Sequence, residues 1–520
     1  MSLDRRRILP GLGAGAAVVL LPRARSRASD TTASLPDYPF RLGLASGFPT
    51  HRSVVLWTRL APQPEAPAGG MAALDWPVRY EVAQDEGFRR IVARGNALAP
   101  AAAAHSVHLE IDGLRPARDY WYRFMAGGYV SAVARTRTLP APRDRVAALR
   151  MAVACCQNYE MGHYAAFRHM ATAAPDVILH LGDYIYEGAR SNTARPRYHP
   201  GAACVTLEDF RQRYALYQTD PSLQAAHAVA PWFVTWDDHE VQNDYAGGMP
   251  GRGDDLDGFA RQRSAAYQAW YEHVPAPPSM APRADGTHIY SRARIGRLAT
   301  LHVLDQRQYR SPEACPQPQR PGGLRVGDAC TERLSEARTM LGAAQERWLE
   351  DGLREAPARW NLLGQGTVFT HMNQGGANGP EYWTDAWSGY PAARQRMVDV
   401  LRRTRASNPV VLSGDIHAFV VAGIHSVPER LDSPLVAAEF TATSISSTAA
   451  SQATLDRWLG MNPHIQRLDG TRRGYLALTL SEARLQADLV AVLDPAAADS
   501  ACEVIGSHVI ESGDPGIQPA

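Results

Sequence analysis

The chain has 520 residues, too many for one ordinary core and enough for two or three domains. A formal charge of +1 at pH 7, with no basic block beyond the N-terminus, excludes an electrostatic footprint for nucleic acid. Six cysteines are too few for a disulfide scaffold but enough for one or two bridges in an oxidising compartment.

Arg5, Arg6 and Arg7 precede the apolar run Ile8 to Leu21, which is too short and too broken by glycine and proline to span a membrane. Two arginines, any residue, then two apolar residues fit the twin-arginine pattern. Residues 1–30 are therefore expected to be a signal read by the twin-arginine export machinery, giving a periplasmic or secreted product. Ser26 to Asp37 reads as a linker. Over residues 38–140, short alternating runs broken by turns (SVVLWTRL, WPVRYEVAQD, HSVHLEIDGLRP, DYWYRFMAGG) predict an all-β sandwich of fibronectin III or immunoglobulin type.

The remainder, residues 148–510, predicts an α/β domain with central mixed sheets flanked by helices. Leu149 to Ala154 alternates too little for a half-exposed strand and Val177 to Leu181 is a largely apolar run, as expected for strands covered on both faces, and Gly162 to Ala173 between them has helical spacing. Further helices are expected at Leu207 to Tyr217, Gly258 to Tyr271, Met340 to Leu353 and Ala392 to Arg403. Strands are expected at Trp232 to Thr235, Leu298 to Leu304, Trp360 to Leu363, Val410 to Leu412, Leu435 to Thr443, Gly474 to Leu480 and Leu485 to Val492. Long insertions come after several of them. Of these, Ala189 to Thr206, with Arg190, Arg195, Arg197 and Tyr198, offers charge and aromatic area for the second substituent of a diester. Cys315 and Cys330 flank another insertion and are expected to close it with a bridge.

Ligands in open sheets gather beyond the carboxyl ends of the strands. Four groups fall there: Cys156 in ACCQNYE, Asp183 and Tyr186 in GDYIYEG, Asp237, Asp238, His239 and Glu240 in WDDHEVQND, and Asp415 and His417 in SGDIHAF. Converging in one crevice, these acids would repel one another and resist desolvation unless cations lay among them. Thiolate and imidazole prefer iron, zinc or copper, whereas carboxylates also suit calcium, magnesium and manganese, so the mixture points to unlike metals side by side. The phenol of Tyr186 calls for ferric iron in particular. Adjacent metals clamp the attacking and leaving oxygens of a displacement at phosphorus, which makes phosphoester hydrolysis the expected reaction.

GDYIYEG, WDDHE and SGDIH resemble the metal-binding blocks of the calcineurin-like and purple acid phosphatases. Together with the cysteine before QNYE, LDQRQYR, MLGAAQERWL, DAWSGYPAAR and the N-terminal PFRLGLASGFPTHRSVVLWTRL, they are similar to the D-type, PhoD-like alkaline phosphatases from about Pro39 onward. The resemblance implies Fe(3+) held by Cys156, Asp183, Tyr186 and His417, and Ca(2+) sharing Asp183 and held by Asp238 and Asp415. It implies His239 as general acid or stabiliser of the leaving oxygen, small phosphoesters as substrates, and Asn158 and Asn243 as further calcium ligands to consider. Two departures stand out: Cys155 precedes the ligand cysteine, and Gly366 stands where a glutamine is expected. The alternatives are a phosphodiesterase or phospholipase D-like esterase and, more distantly, an exported binding protein without catalysis.

Overall fold

The computed structural model describes residues 35, 37–189, 195–253, 255–283, 286–317, 322–355, 358–376, 379–428 and 430–520. The expected signal at 1–30 and Arg190 lie outside the described residues. At the centre of the first sheet, Leu149–Ala154, Val177–His180 and Trp232–Val234 run parallel, with His180 opposite both Ala154 and Val234. Apart from the exposed Arg150 these strands are buried throughout, as their largely apolar sequence requires. On one side the sheet continues antiparallel through Arg473–Leu480, Arg484–Val492, Cys502–Glu511 and Ile517–Pro519.

In the second sheet, Ala299–Val303, Trp360–Gly364, Pro409–Ser413 and Leu435–Thr441 are parallel neighbours. Antiparallel Ser291–Ile295 flanks one edge, and Phe419–His425 and Ile465–Asp469 the other. Period-two alternation assigns its side chains. Leu362 and Leu412 enter the core shared with Val153 and Leu179 of the first sheet, whereas Leu363 and Val411 turn outward to Leu349, Met397 and Leu401. Those outer residues belong to the helices Gly342–Glu355 and Pro391–Thr404. Where the sheets meet, a Cβ on Gly364 would lie 2.9 Å from the Leu179 side chain, so the absence of a side chain sets their separation there.

The first hundred or so described residues build two sheets that share a core. Trp76–Ala83, Ile91–Ala99, Asp119–Ala126, Tyr129–Val130 and Ala134–Arg137 form a five-stranded sheet whose Val78, Val82, Tyr122 and Phe124 pack on Val54, Leu56 and Val107. The opposing strands are not confined to this region. Leu44–Gly47, Val54–Arg59 and Ser106–Ile111 extend the ten-stranded sheet, because Leu44–Gly47 lies parallel to Trp232–Val234 with Gly47 opposite Trp232.

The helices expected from periodicity are present as Ala165–Ala173, Leu207–Gln218, Leu256–His273, Gly342–Glu355 and Pro391–Thr404. Two more, Pro221–Val229 and Gln452–Met461, are not among the expected elements. Cys315 and Cys330 are bonded, and Cys155, Cys156, Cys204 and Cys502 are free thiols.

Candidate metal centre

Both parallel sets point their carboxyl ends to one place. Beyond Leu149–Ala154 comes Cys156, beyond Val177–His180 Asp183, beyond Trp232–Val234 Asp237 and Asp238, and beyond Pro409–Ser413 Asp415 and His417. Four of these turn sharply out of the strand direction: Cys156 (φ 59°), Asp183 (φ 56°), Asp415 (φ 68°) and His417 (φ 60°) all occupy the left-handed region, which is uncommon for residues with a Cβ. Strain concentrated on the donors themselves marks a site that the surrounding fold imposes. Gly182 (φ 108°) permits the turn before Asp183, where a Cβ would fall 2.4 Å from the Asp237 nitrogen.

The donor atoms fall into three groups, each with its ligand atoms within 4.8 Å of one another: Cys156, Asp183 and His417; Asp183, Asp238 and His239; and Asp237, Asp238 and Asp415. Asp183 and Asp238 are each shared by two groups. Tyr186 joins the first, donating its hydroxyl to Asp183 Oδ2 at 2.8 Å and lying 3.1 Å from His417 Nε2. The His417 tautomer is set by its other nitrogen, since Nδ1 lies 2.8 Å from the Thr448 carbonyl, which can only accept. Nε2 thus turns its lone pair to the cluster, as a metal-binding imidazole requires.

These residues fit cations. Burial, reinforced by neighbouring acids, pushes Cys156, Asp183, Tyr186 and Asp415 well above their ordinary ranges, so their anionic forms need positive charge among them. Asp237 Oδ2 and Asp238 Oδ1 are buried with no hydrogen-bond partner, the condition a bound ion would relieve. Gly366 serves the same end, because a Cβ there would lie 2.8 Å from the Asp237 carboxylate.

His239 stands over Tyr186 with ring centroids 4.1 Å apart, and its Nδ1 is 2.7 Å from Glu187 Oε2. Burial alone would raise Glu187, but His239, Arg252 at 2.5 Å and the Asn243 amide outweigh it and hold the carboxyl at about 2. Nδ1 therefore carries the proton shared with Glu187, which leaves Nε2 for proton exchange with a substrate.

Beneath the donors lies their support. Glu240 accepts the backbone N–H groups of Asp183, Tyr184 and Asp237 at 3.0, 2.6 and 2.8 Å, tying two strand ends together. Arg307, fully buried, donates to Asp237 Oδ1 at 2.5 Å and to both oxygens of Asp385 at 2.7 and 2.9 Å. Ser447 donates to the Tyr186 oxygen at 2.7 Å and lies 2.9 Å from the Cys156 carbonyl. Arg307 and Asp385 sit inside LDQRQYR and DAWSGYPAAR, so the one signal for them is a charged residue within a block that carries the family resemblance.

Of the two adjacent thiols only Cys156 joins a donor group, while Cys155 reaches the carbonyls of Ala442 and Thr443. Two site expectations change. Asn158 spends its side-chain oxygen on the Glu160 amide, as the cap of a local turn. Two arginines of the Ala189 to Thr206 insertion turn inward: Arg195 pairs with Glu160 at 3.2 Å, and Arg197 pairs with Asp220 at 2.7 Å against the rings of Tyr159 and Tyr164. Neither is available to grip a diester.

Comparison with known proteins shows what the chain is similar to. Residues 151–489 match the family model described as PhoD-like phosphatase, and residues 25–140 match that of the PhoD-like phosphatase N-terminal domain. Alkaline phosphatase D of Bacillus subtilis (strain 168) is 42% identical over 513 residues, spanning 96% of this chain and 86% of that protein. A solved structure of PhoD is similar with a TM-score of 0.89 and 41% identity, covering 94% of this chain and 93% of that one.

Proposed function

Because this chain belongs to the PhoD-like phosphatase family and is a metal-dependent phosphoric ester hydrolase, we propose that it cleaves phosphate monoesters and diesters at an iron–calcium centre. The observation that carries the proposal is a chain of shared carboxylates: Asp183 links the group holding the Cys156 thiol to that of Asp238 and His239, and Asp238 links this in turn to the all-carboxylate group with Asp237 and Asp415. Cys156, Asp183, Tyr186 and His417 would hold Fe(3+), and Asp183, Asp238 and Asp415, with Asp237 beside them, would hold Ca(2+). When bound, these ions supply Lewis acidity and a hydroxide-generating field at neutral to alkaline pH.

The protein's own part is positioning and proton transfer. His239, fixed through Nδ1 by Glu187, presents Nε2 to protonate the departing oxygen or to stabilise its charge. Arg307 holds Asp237 and stands 3.4 Å from Asp238, which keeps two adjacent carboxylates in place despite their repulsion. Glu240 holds the backbone on which Asp183 and Asp237 are mounted.

A reading weighted toward diesters is favoured by one observation, a cavity that opens beside Asp415. The fibronectin III or immunoglobulin layout of residues 38–140, and a calcineurin-like layout for 148–510, belong to the same proposal and are supported by the two shared cores. So does export to the periplasm or beyond, supported by Arg5 and Arg6; changing both to lysine should trap precursor in the cytoplasm. No helix among the described residues is long and apolar enough to cross a membrane.

The test of the function is hydrolysis of p-nitrophenyl phosphate and bis(p-nitrophenyl) phosphate before and after chelation. Loss of both activities on chelation, with recovery only when iron and calcium are returned together, is expected. Full activity in exhaustively chelated protein would overturn the metal-centred reading.

A further inference from the structure

A cavity of about 370 Å³ opens against the donor cluster, with Asp415 and Ile416 on its wall. Its sides come from three separate places: the segment after Trp360–Gly364, the two-stranded antiparallel ribbon of Arg325–Val326 with Tyr382–Trp383, and the helix Gln452–Met461. Their contributions are unlike. Met372, Trp383 and Trp458 make an apolar and aromatic interior. Thr370 Oγ1 and Trp458 Nε1, both on lining residues, are buried with no hydrogen-bond partner, so a small shift of either side chain would give an occupant a polar group that gains a partner. Arg325 and Arg457, both exposed, stand among the lining residues, and neither forms an ion pair among the described residues. Arg325 and Trp383 are direct cross-strand partners, which puts a cationic and an aromatic residue side by side on the wall.

Such a wall asks for an occupant with a flat or apolar body, a hydrogen-bond acceptor along it, and negative charge at its outer end. It also adjoins the place where phosphorus would sit. We propose that this cavity is the subsite for the substituent a diester keeps on phosphorus, and that it selects aromatic substituents carrying a second anionic group. The inference rests on the hydrolase reading above and deepens it by naming the substrate class. It also accounts for where diester recognition lies, given that Arg195 and Arg197 of the opposite insertion are occupied by Glu160 and Asp220.

Three diesters with one leaving group separate the contributions: p-nitrophenyl phosphate esterified a second time with methanol, with phenol, or with 4-hydroxybenzoate. Release of p-nitrophenolate is followed for metal-loaded wild type, for Trp383→Ala, and for Arg325→Gln with Arg457→Gln. In wild type kcat/KM should rise from methyl to phenyl to carboxyphenyl, each step about 3- to 10-fold. Trp383→Ala should collapse the phenyl-over-methyl ratio, and the double glutamine variant the carboxyphenyl-over-phenyl ratio, chiefly through KM. The arginines are exposed, so their replacement leaves the core intact. If all three esters are cleaved with the same ratios in every protein, the subsite assignment falls while the hydrolase reading stands. If metal-loaded wild type cleaves none of them, the diester reading itself falls, and the subsite with it.

Discussion

Arg307→Met tests the support beneath the centre. The guanidinium is fully buried, bonded to Asp237 and twice to Asp385, and within 3.4 Å of Asp238. Arg310 also pairs with Asp385, so in this enclosure two guanidiniums face three carboxylates. Methionine keeps most of the volume but removes one cation, and the local imbalance grows from one negative charge to two. Removing one partner of a buried pair costs about 3–5 kcal/mol, because the remaining charge is left uncompensated. Asp385 retains Arg310, so the loss should fall chiefly on Asp237 and Asp238, the carboxylates that a bound cation would also neutralise. Urea unfolding midpoints of wild type and Arg307→Met, each with metals loaded and after chelation, measure both effects. The variant should be destabilised in both states, by the larger amount in the chelated one. An equal loss with and without metal would refute the idea that Arg307 and the metals compensate the same charge.

Replacing His239 with asparagine should lower kcat by about 10²- to 10⁴-fold on alkyl phosphates and much less on p-nitrophenyl esters, whose leaving group needs no proton. A loss independent of leaving-group pKa would assign the ring to positioning alone. Acid should destabilise the fold through its buried imidazoles: burial holds His108 at about 4 and His180, His227 and His302 at about 3. Each is neutral in the folded chain while its unfolded counterpart protonates below about 6.5, so stability is fully present above that pH and declines as pH falls toward about 3. His227→Phe, which keeps an aromatic ring against Trp232, should lower the pH slope of unfolding by up to about 1.4 kcal/mol per pH unit, and an unchanged slope would contradict this.

The donors are legible in the sequence because each comes just after a largely apolar run, and a buried parallel strand delivers its next few residues to the sheet edge. Their left-handed backbone is not legible, since only Gly182 among the neighbours announces it. Arg307 reaches its carboxylates across 70 and 78 residues, a pairing that no local pattern contains. The insertion arginines are visible as charge, but whether they face substrate depends on Glu160 and Asp220, which come from other segments. Pro221–Val229 escapes a reading by periodicity, although Asp220 caps it and Pro221 opens it, because nine residues show little of it. The continuity of Leu44–Gly47 with the catalytic sheet rests on pairing with Trp232–Val234, again a distant partner.

Element analysis of protein purified from its native compartment bears most directly on the shared-ligand centre. Wild type should carry both iron and calcium, Cys156→Ser should lose iron while keeping calcium, and Asp183→Asn should lose both because its carboxylate serves both donor groups. Unchanged iron and calcium in Asp183→Asn would contradict the account.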